Sequence, residues 1–196
     1  MNTIIISQEQ VRQLLPMKKC IELIRDMFKA YSTGEIVLPL RPIMPLPDGK
    51  SLLAMMPAYD GSSKALGIKV LSLFPDNHGT EIDSHLGAVL LFDANNGYLS
   101  AIVDAAEITA IRTAAASGAA TDILARQDAR KLAIFGSGVQ ANTHLQAMLA
   151  VREIEEVHIW SRNQANAEGF VEKVRQDHDV DFNVFSKAQA CVEGVD

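Results

Sequence analysis

Lys131 to Ala141 reads KLAIFGSGVQA. The apolar run Leu132-Ala133-Ile134-Phe135 breaks at Gly136-Ser137-Gly138-Val139-Gln140-Ala141, a G-x-G-x-x-A turn. A strand that runs into such a turn and out into a helix is the fingerprint of a dinucleotide-binding βαβ unit. Gly136 permits the tight turn, Gly138 lets a pyrophosphate approach the backbone, and Ala141 lets the helix pack close to the strand. The free N–H groups and the dipole of the helix N-terminus then face the phosphates. The glycines alone would also suit a plain turn in another α/β protein. The strand before them and the helix after them make the case.

Downstream the pattern is β-α-β-α-β: strand 132–135, helix 139–151, strand 156–160, helix 163–176, strand 182–185, and a helical stretch over 186–193. Strands alternating with helices predict a parallel sheet. This is one mononucleotide-binding half of a doubly wound sheet, and the chain reads as truncated before the second half. An Asp or Glu about 20 residues beyond the glycines would accept from a ribose 2′-OH and indicate NAD. That region reads Trp160-Ser161-Arg162-Asn163, with no carboxylate. Arg162 can pair with a 2′-phosphate while Ser161 and Asn163 donate hydrogen bonds. The reading favours NADP(H), with NAD(H) the alternative if Arg162 is only an exposed cation at a strand end.

Upstream, Ser7 and Gln10 form a capping box for a short helix from Gln8. Pro16 suits the first turn of a second helix. Cys20, Ile21, Ile24, Met27, Phe28 and Tyr31 recur at helical spacing and predict its buried stripe, with Gly34 as the C-cap. Residues 36–46 are extended and proline-rich. Strands are predicted over 51–56, 66–74, 88–92 and 98–103, the first ending at Pro57 and the last pair joined through Asp93-Ala94-Asn95-Asn96-Gly97, a hairpin signal. The expectation is a mostly antiparallel sheet of four or five strands. A helix over 107–125 follows, rich in Ala, Ser, Thr and Gly. Arg112 stands in it among residues expected to be buried. A buried guanidinium is costly unless paired, so Arg112 has either a carboxylate partner or an anionic ligand. The predicted fold class is α/β, with an α+β domain over 1–125 and a partial Rossmann-type domain over 126–196.

Composition sets outer limits. The chain has 196 residues, 48% hydrophobic and 21% charged, which is ordinary for a globular protein. Its net charge of −6 and lack of a basic tract argue against nucleic acid or an anionic membrane as partner. The start, MNTIIISQEQ, lacks the basic and apolar regions of a signal peptide. No apolar run approaches the ~20 residues of a membrane span. Cys20 and Cys191 stand far apart, as reduced thiols in a cytoplasmic protein would. The histidines fall in no metal-ligand spacing, so no metal is expected.

Several stretches occur together and in order: LAMMPAY with LGIKVLSLFPDN, LFDANNG, IRTAAASGAAT and LAIFGSGVQA. On these the sequence resembles the ornithine cyclodeaminase/μ-crystallin family, which also holds archaeal-type alanine dehydrogenases and ketimine reductases. The resemblance covers the whole chain. It implies an N-terminal domain that binds substrate and forms a homodimer, followed by the Rossmann domain, and oxidation or reduction of the C–N bond of an amino or imino acid. By motif, Arg41, Lys69 and Arg112 hold the substrate carboxylate, and that role explains a buried Arg112 better than an unnamed ion pair. Otherwise Lys69 reads as an outward lysine on a half-exposed strand and Arg41 as a surface loop residue. Met56 lines the substrate pocket, or is ordinary core. Ser84, Arg112, Thr113, Val139 and Gln140 surround the cofactor, with Gly136, Ser137 and Gly138 in the turn. The family's catalytic Asp has no counterpart up to Asp196.

One departure bears on the substrate. Ornithine-cyclising members carry a Glu two residues before the Met-Pro step, where it holds the distal amine. The matching residue is Ala54, which can neither bind nor deprotonate an amine. The leading expectation is therefore reduction of a small α-imino acid, as by a ketimine reductase or alanine dehydrogenase. The alternatives are ornithine cyclodeaminase and a non-catalytic, crystallin-like NADP binder.

Overall fold

The computed structural model describes residues 2–196. It is an α/β protein that divides into two compact units, Met1–Pro16 with Arg25–Thr109, and Met17–Ile24 with Ala110–Asp196.

The first unit is built on a seven-stranded mixed sheet. Its strands are β1 (Ile4–Ile6), β2 (Ile36–Val37), β3 (Ile43–Pro45), β4 (Leu52–Asp60), β5 (Ala65–Leu73), β6 (His85–Asp93) and β7 (Leu99–Asp104), in the order β1-β7-β6-β5-β4-β2, with β3 also on β4. All pairings are antiparallel except β1 with β7. Four to five strands were expected; β1, β2 and β3 add two or three residues each, too short to show a period. The 93–97 hairpin forms as predicted, with Gly97 at φ +76°.

β4 does not end at Pro57 but runs on to Asp60. The reason lies in the ladder. The Met55 N–H donates to the Pro42 carbonyl, on the side of β4 away from β5. Pro57 faces that same side, since direction alternates along a strand. There it falls between β3, which pairs at 52–54, and β2, which pairs at 59–60. The N–H that proline lacks would have had no strand partner, so the strand tolerates it.

Helix α1 (Gln8–Leu14) starts at the predicted capping box, with both Ser7–Gln10 bonds present. Helix α2 (Met17–Ser32) has Pro16 as its N-cap, one position earlier than expected, and Gly34 follows it at φ +80°. Its inward line runs through Cys20, Ile21, Ile24, Met27 and Ala30. Phe28 and Tyr31, expected in the stripe, are 48% and 56% exposed, because the line continues to Ala30.

Helix α3 (Ala105–Leu124) begins where Asp104 Oδ1 accepts from the Glu107 N–H. The second unit then follows the predicted alternation: β8 (Lys131–Phe135), α4 (Val139–Val151), β9 (Glu156–Trp160), α5 (Gln164–Val174), β10 (Asp181–Val184) and the short α6 (Ala188–Cys191). The three strands are parallel in the order β10-β9-β8. Ile134, Ala141, Leu145, Val157, Ile159 and Phe170 make the centre of its core.

The expected boundary at 125/126 differs from the observed division, which groups α3 from Ala110 and the first two turns of α2 with the parallel sheet. Small residues are the cause. A Cβ at Gly118 would lie 2.9 Å from Ile21 Cδ1 and 3.3 Å from Ala147 Cβ, so α3 sits tightly against α2 and α4. Arg152 closes the end of α3. Its side chain is 2% exposed, and it donates to the carbonyls of Thr121, Asp122, Ala125 and Arg126 and to Asp122 Oδ1. The Thr121 carbonyl also accepts from the Ala125 N–H, whereas carbonyls at and beyond a helix C-terminus otherwise lack intrahelical donors.

Among the described residues no helix is long and apolar enough to cross a membrane, and no three His, Cys, Asp or Glu side chains are grouped to hold a metal. Cys20 and Cys191 are buried, free thiols.

Candidate active site

In the first unit, strand alternation sets one face of the sheet. Met56 on β4 pairs with Lys69 on β5, which pairs in turn with Val89 on β6. Directly paired residues share a face, and so do Ala54 and Ala58, two positions either side of Met56. Lys69 is half-buried, not the outward lysine its strand position also allowed. Its ammonium donates to Thr109 Oγ1 on α3 at 3.1 Å. Beside Lys69 and Met56 a cavity of about 310 Å³ runs towards Asp60 between apolar walls that include Ala58, Gly67 and Leu91. Asp60 accepts from the hydroxyls of Ser62 and Ser63, which hold its carboxyl below its usual range.

Arg41 is exposed, just before β3. The carbonyl of the next residue, Pro42, accepts from Met55, so Arg41 is anchored beside β4 close to Met56 along the chain pairing. It has no ion-pair partner among the described residues. Ser84 is half-buried before β6, its Oγ 3.0 Å from His85 Nδ1. Thr109 was not foreseen. Only its position one helical turn before Arg112 on α3 marked it.

In the second unit, Gly136 leaves β8 at φ +112°, a conformation that L side chains rarely adopt. Gly138 is the N-cap of α4, and no side chain caps the helix. A Cβ at either glycine would meet nothing within 4 Å, so the space in front of the turn is open. The N–H groups of Val139, Gln140 and Ala141 are the ones a helix leaves without intrahelical partners. Ala141 is buried against the core, as its packing role requires. The turn is held to β9: the Gly136 N–H donates to the Trp160 carbonyl at 2.7 Å, and the Ser137 and Ser161 hydroxyls are 3.3 Å apart. Arg162 is exposed, with no ion-pair partner among the described residues. Asn163 caps α5 by accepting from the Ala165 N–H, so its side-chain oxygen is already engaged.

Arg112 corrects the sequence reading. It was expected to be buried and is exposed. The buried side of α3 carries Ala110, Ile111, Ala114, Ala115 and Ala119, and Arg112 lies at the edge of that side, exposed. The cost of a buried guanidinium therefore carries no argument here. Arg112 has no ion-pair partner among the described residues, and half-buried Thr113 follows it on the helix.

A strand–turn–helix with an open glycine N-cap defines the class: an α/β protein with a unit of the dinucleotide-binding type. The sequence model of the ornithine cyclodeaminase/mu-crystallin family matches residues 1–196, and the chain belongs to that family. It is 37% identical over 169 residues to ketimine reductase mu-crystallin of Mus musculus, covering 86% of this chain and 53% of that protein. It is similar to the structure of Thermococcus litoralis Δ1-pyrroline-2-carboxylate reductase in complex with NADH and L-proline, with TM-score 0.93, 34% identity, and 98% of this chain and 60% of that chain covered. An archaeal alanine dehydrogenase dimer with bound NAD gives TM-score 0.89 and 27% identity, over 97% of this chain and 58% of that one. The chain thus spans little more than half the length of these relatives.

Proposed function

We propose that this protein is an NAD(P)-dependent oxidoreductase that reduces the C=N bond of a small α-imino acid. The observation that carries the reading is the open turn at Gly136–Gly138, tied to β9 through Ser137–Ser161. The residues present fit a dinucleotide: a glycine cradle with free space, uncapped helix N–H groups, and Arg162, next in sequence to Ser161, with no ion-pair partner among the described residues. The turn would take the pyrophosphate. Ser161 and Arg162 would take the adenosine ribose, which favours NADP(H), and Asn163 would offer its amide N–H. Ser84, Arg112, Thr113, Val139 and Gln140 are assigned to the same ligand.

Arg41, Lys69 and Arg112 are assigned to the substrate carboxylate, and Met56 to the wall of the substrate pocket. What supports this is a half-buried ammonium at Lys69 and two exposed guanidiniums, at Arg41 and Arg112, with no ion-pair partner among the described residues. Holding a carboxylate with cations fixes the imine carbon in one orientation, and positioning of that kind can supply much of the rate. When bound, the nicotinamide supplies the hydride. No residue of this chain is assigned as the proton donor.

A homodimer is proposed through the first unit. The sheet face opposite Lys69 carries Leu53, Met55, Ile68, Val70, Leu90 and Ile102, all half-buried and apolar. A face of this kind suits self-complementary contact with a second copy. Two free thiols suit a reducing, cytoplasmic setting.

The test is NADPH and NADH oxidation by the purified protein with Δ1-pyrroline-2-carboxylate, Δ1-piperideine-2-carboxylate, and pyruvate with ammonia. Turnover of at least one is expected. Tight NADPH binding with no turnover would replace this reading with the crystallin-like binder. Proline and ammonia formed from ornithine would replace it with the cyclodeaminase.

A further inference from the structure

Ser117 on α3 and His144 on α4 are 27 residues apart in sequence, yet Ser117 Oγ lies 3.1 Å from His144 Nε2. The other ring nitrogen, Nδ1, is 2.7 Å from the Gln140 carbonyl oxygen. That carbonyl can only accept, so Nδ1 carries the proton and Nε2 is left to accept from the Ser117 hydroxyl. The chain of bonds therefore runs Ser117 Oγ–H to His144 and His144 Nδ1–H to Gln140. Both residues belong to the second unit, and both are half-buried.

The placement of this pair gives it a purpose. Thr113 lies one helical turn before Ser117 on α3, and Gln140 lies one turn before His144 on α4. Residues four apart share a helix face. The Ser117–His144 bond thus fixes the sliding and rotation of α3 against α4, one turn below the residues assigned to the cofactor. Gly118 removes the Cβ that would hold the helices apart. His144 also ties the first turn of α4 through the Gln140 carbonyl, and that turn carries the N–H groups facing the open glycine cradle.

We infer that Ser117 and His144 are positioning residues for the dinucleotide: they hold Thr113 and the first turn of α4 in the register that grips it. This rests on the proposed dinucleotide site. Losing one such bond in a preorganised site weakens binding by about tenfold.

The experiment measures NADPH and NADH dissociation constants for the wild-type chain and for Ser117→Ala, Ser117→Thr and His144→Phe, with thermal unfolding of each. Ser117→Ala and His144→Phe should bind the preferred dinucleotide about tenfold more weakly. Ser117→Thr, which keeps the hydroxyl, should bind within about twofold of wild type. Nitrogen-15 shifts should show the Nδ1–H tautomer at His144 in wild type, kept in Ser117→Ala because the Gln140 carbonyl sets it. Unchanged affinity in Ser117→Ala, no rescue by Ser117→Thr, or an Nε2–H tautomer in wild type would each overturn the inference. Failure of the wild-type chain to bind either dinucleotide would instead overturn the site on which it rests.

Discussion

Lys69 and Thr109 are joined by a 3.1 Å hydrogen bond from Nζ to Oγ1, between the middle of β5 and the second turn of α3. The lysine is half-buried on the sheet face it shares with Met56 and Ala54. A half-buried ammonium on that face carries a positive charge suited to a substrate carboxylate. Lys69→Met is expected to lower kcat/KM for the imino acid by about 100-fold, the scale of a hydrogen bond from a charged donor. Thr109→Ser, which keeps the hydroxyl, should stay close to wild type. Steady-state kinetics at saturating cofactor check both.

Arg162 decides between the two dinucleotides. Arg162→Ala should weaken NADPH binding by about tenfold or more and leave NADH binding within about twofold, as a charge-assisted pair to a 2′-phosphate requires. Equal losses for both, or none, would remove Arg162 from the ribose site.

Arg152 should govern the stability of the second unit. It is almost wholly buried, and its donors satisfy four carbonyls at the end of α3. Arg152→Met leaves those acceptors without it and is expected to cost about 3 kcal/mol in urea unfolding.

Glu156 sets an acid limb. Lys131 at 2.7 Å and His158 at 2.8 Å stabilise its carboxylate and lower its pKa from 4.5 to about 2. A folded-state pKa below the unfolded one adds stability above pH 4.5, and that stability is lost as pH falls towards 2. Asp196, held by the N–H groups of Arg130 and Lys131, shifts in the same direction. Glu156→Gln should therefore flatten, without abolishing, the fall in stability between those pH values, read from denaturation midpoints.

The second unit was legible because its strands alternate with helical periods, the first of them a short apolar run, and because the glycine turn has no substitute. The sheet of the first unit was legible only where strands were long. β1 is paired to β7 across nearly the whole unit, and β2 and β3 are held by the edge of β4; neither relation leaves a local pattern. Pro57 misled for a physical reason, since proline stops a strand only where its N–H is needed. Arg112 misled because a helix rich in alanine reads as buried all round, whereas only one side of α3 is covered. Thr109 and the Ser117–His144 pair depend on which helix faces meet, and a single helix does not reveal that. Lys69 could be read two ways from its strand, and the contact with Thr109 that leaves it half-buried has no signature in the strand itself.

The central claim is that the open turn at Gly136–Gly138 serves a nicotinamide dinucleotide used to reduce an imino acid. The most direct measurement compares initial rates of NADPH oxidation with Δ1-pyrroline-2-carboxylate and Δ1-piperideine-2-carboxylate against conversion of ornithine. Turnover of at least one imine is expected, with no proline from ornithine, since Ala54 offers no carboxylate to a distal amine. Turnover of ornithine without turnover of either imine would contradict that claim.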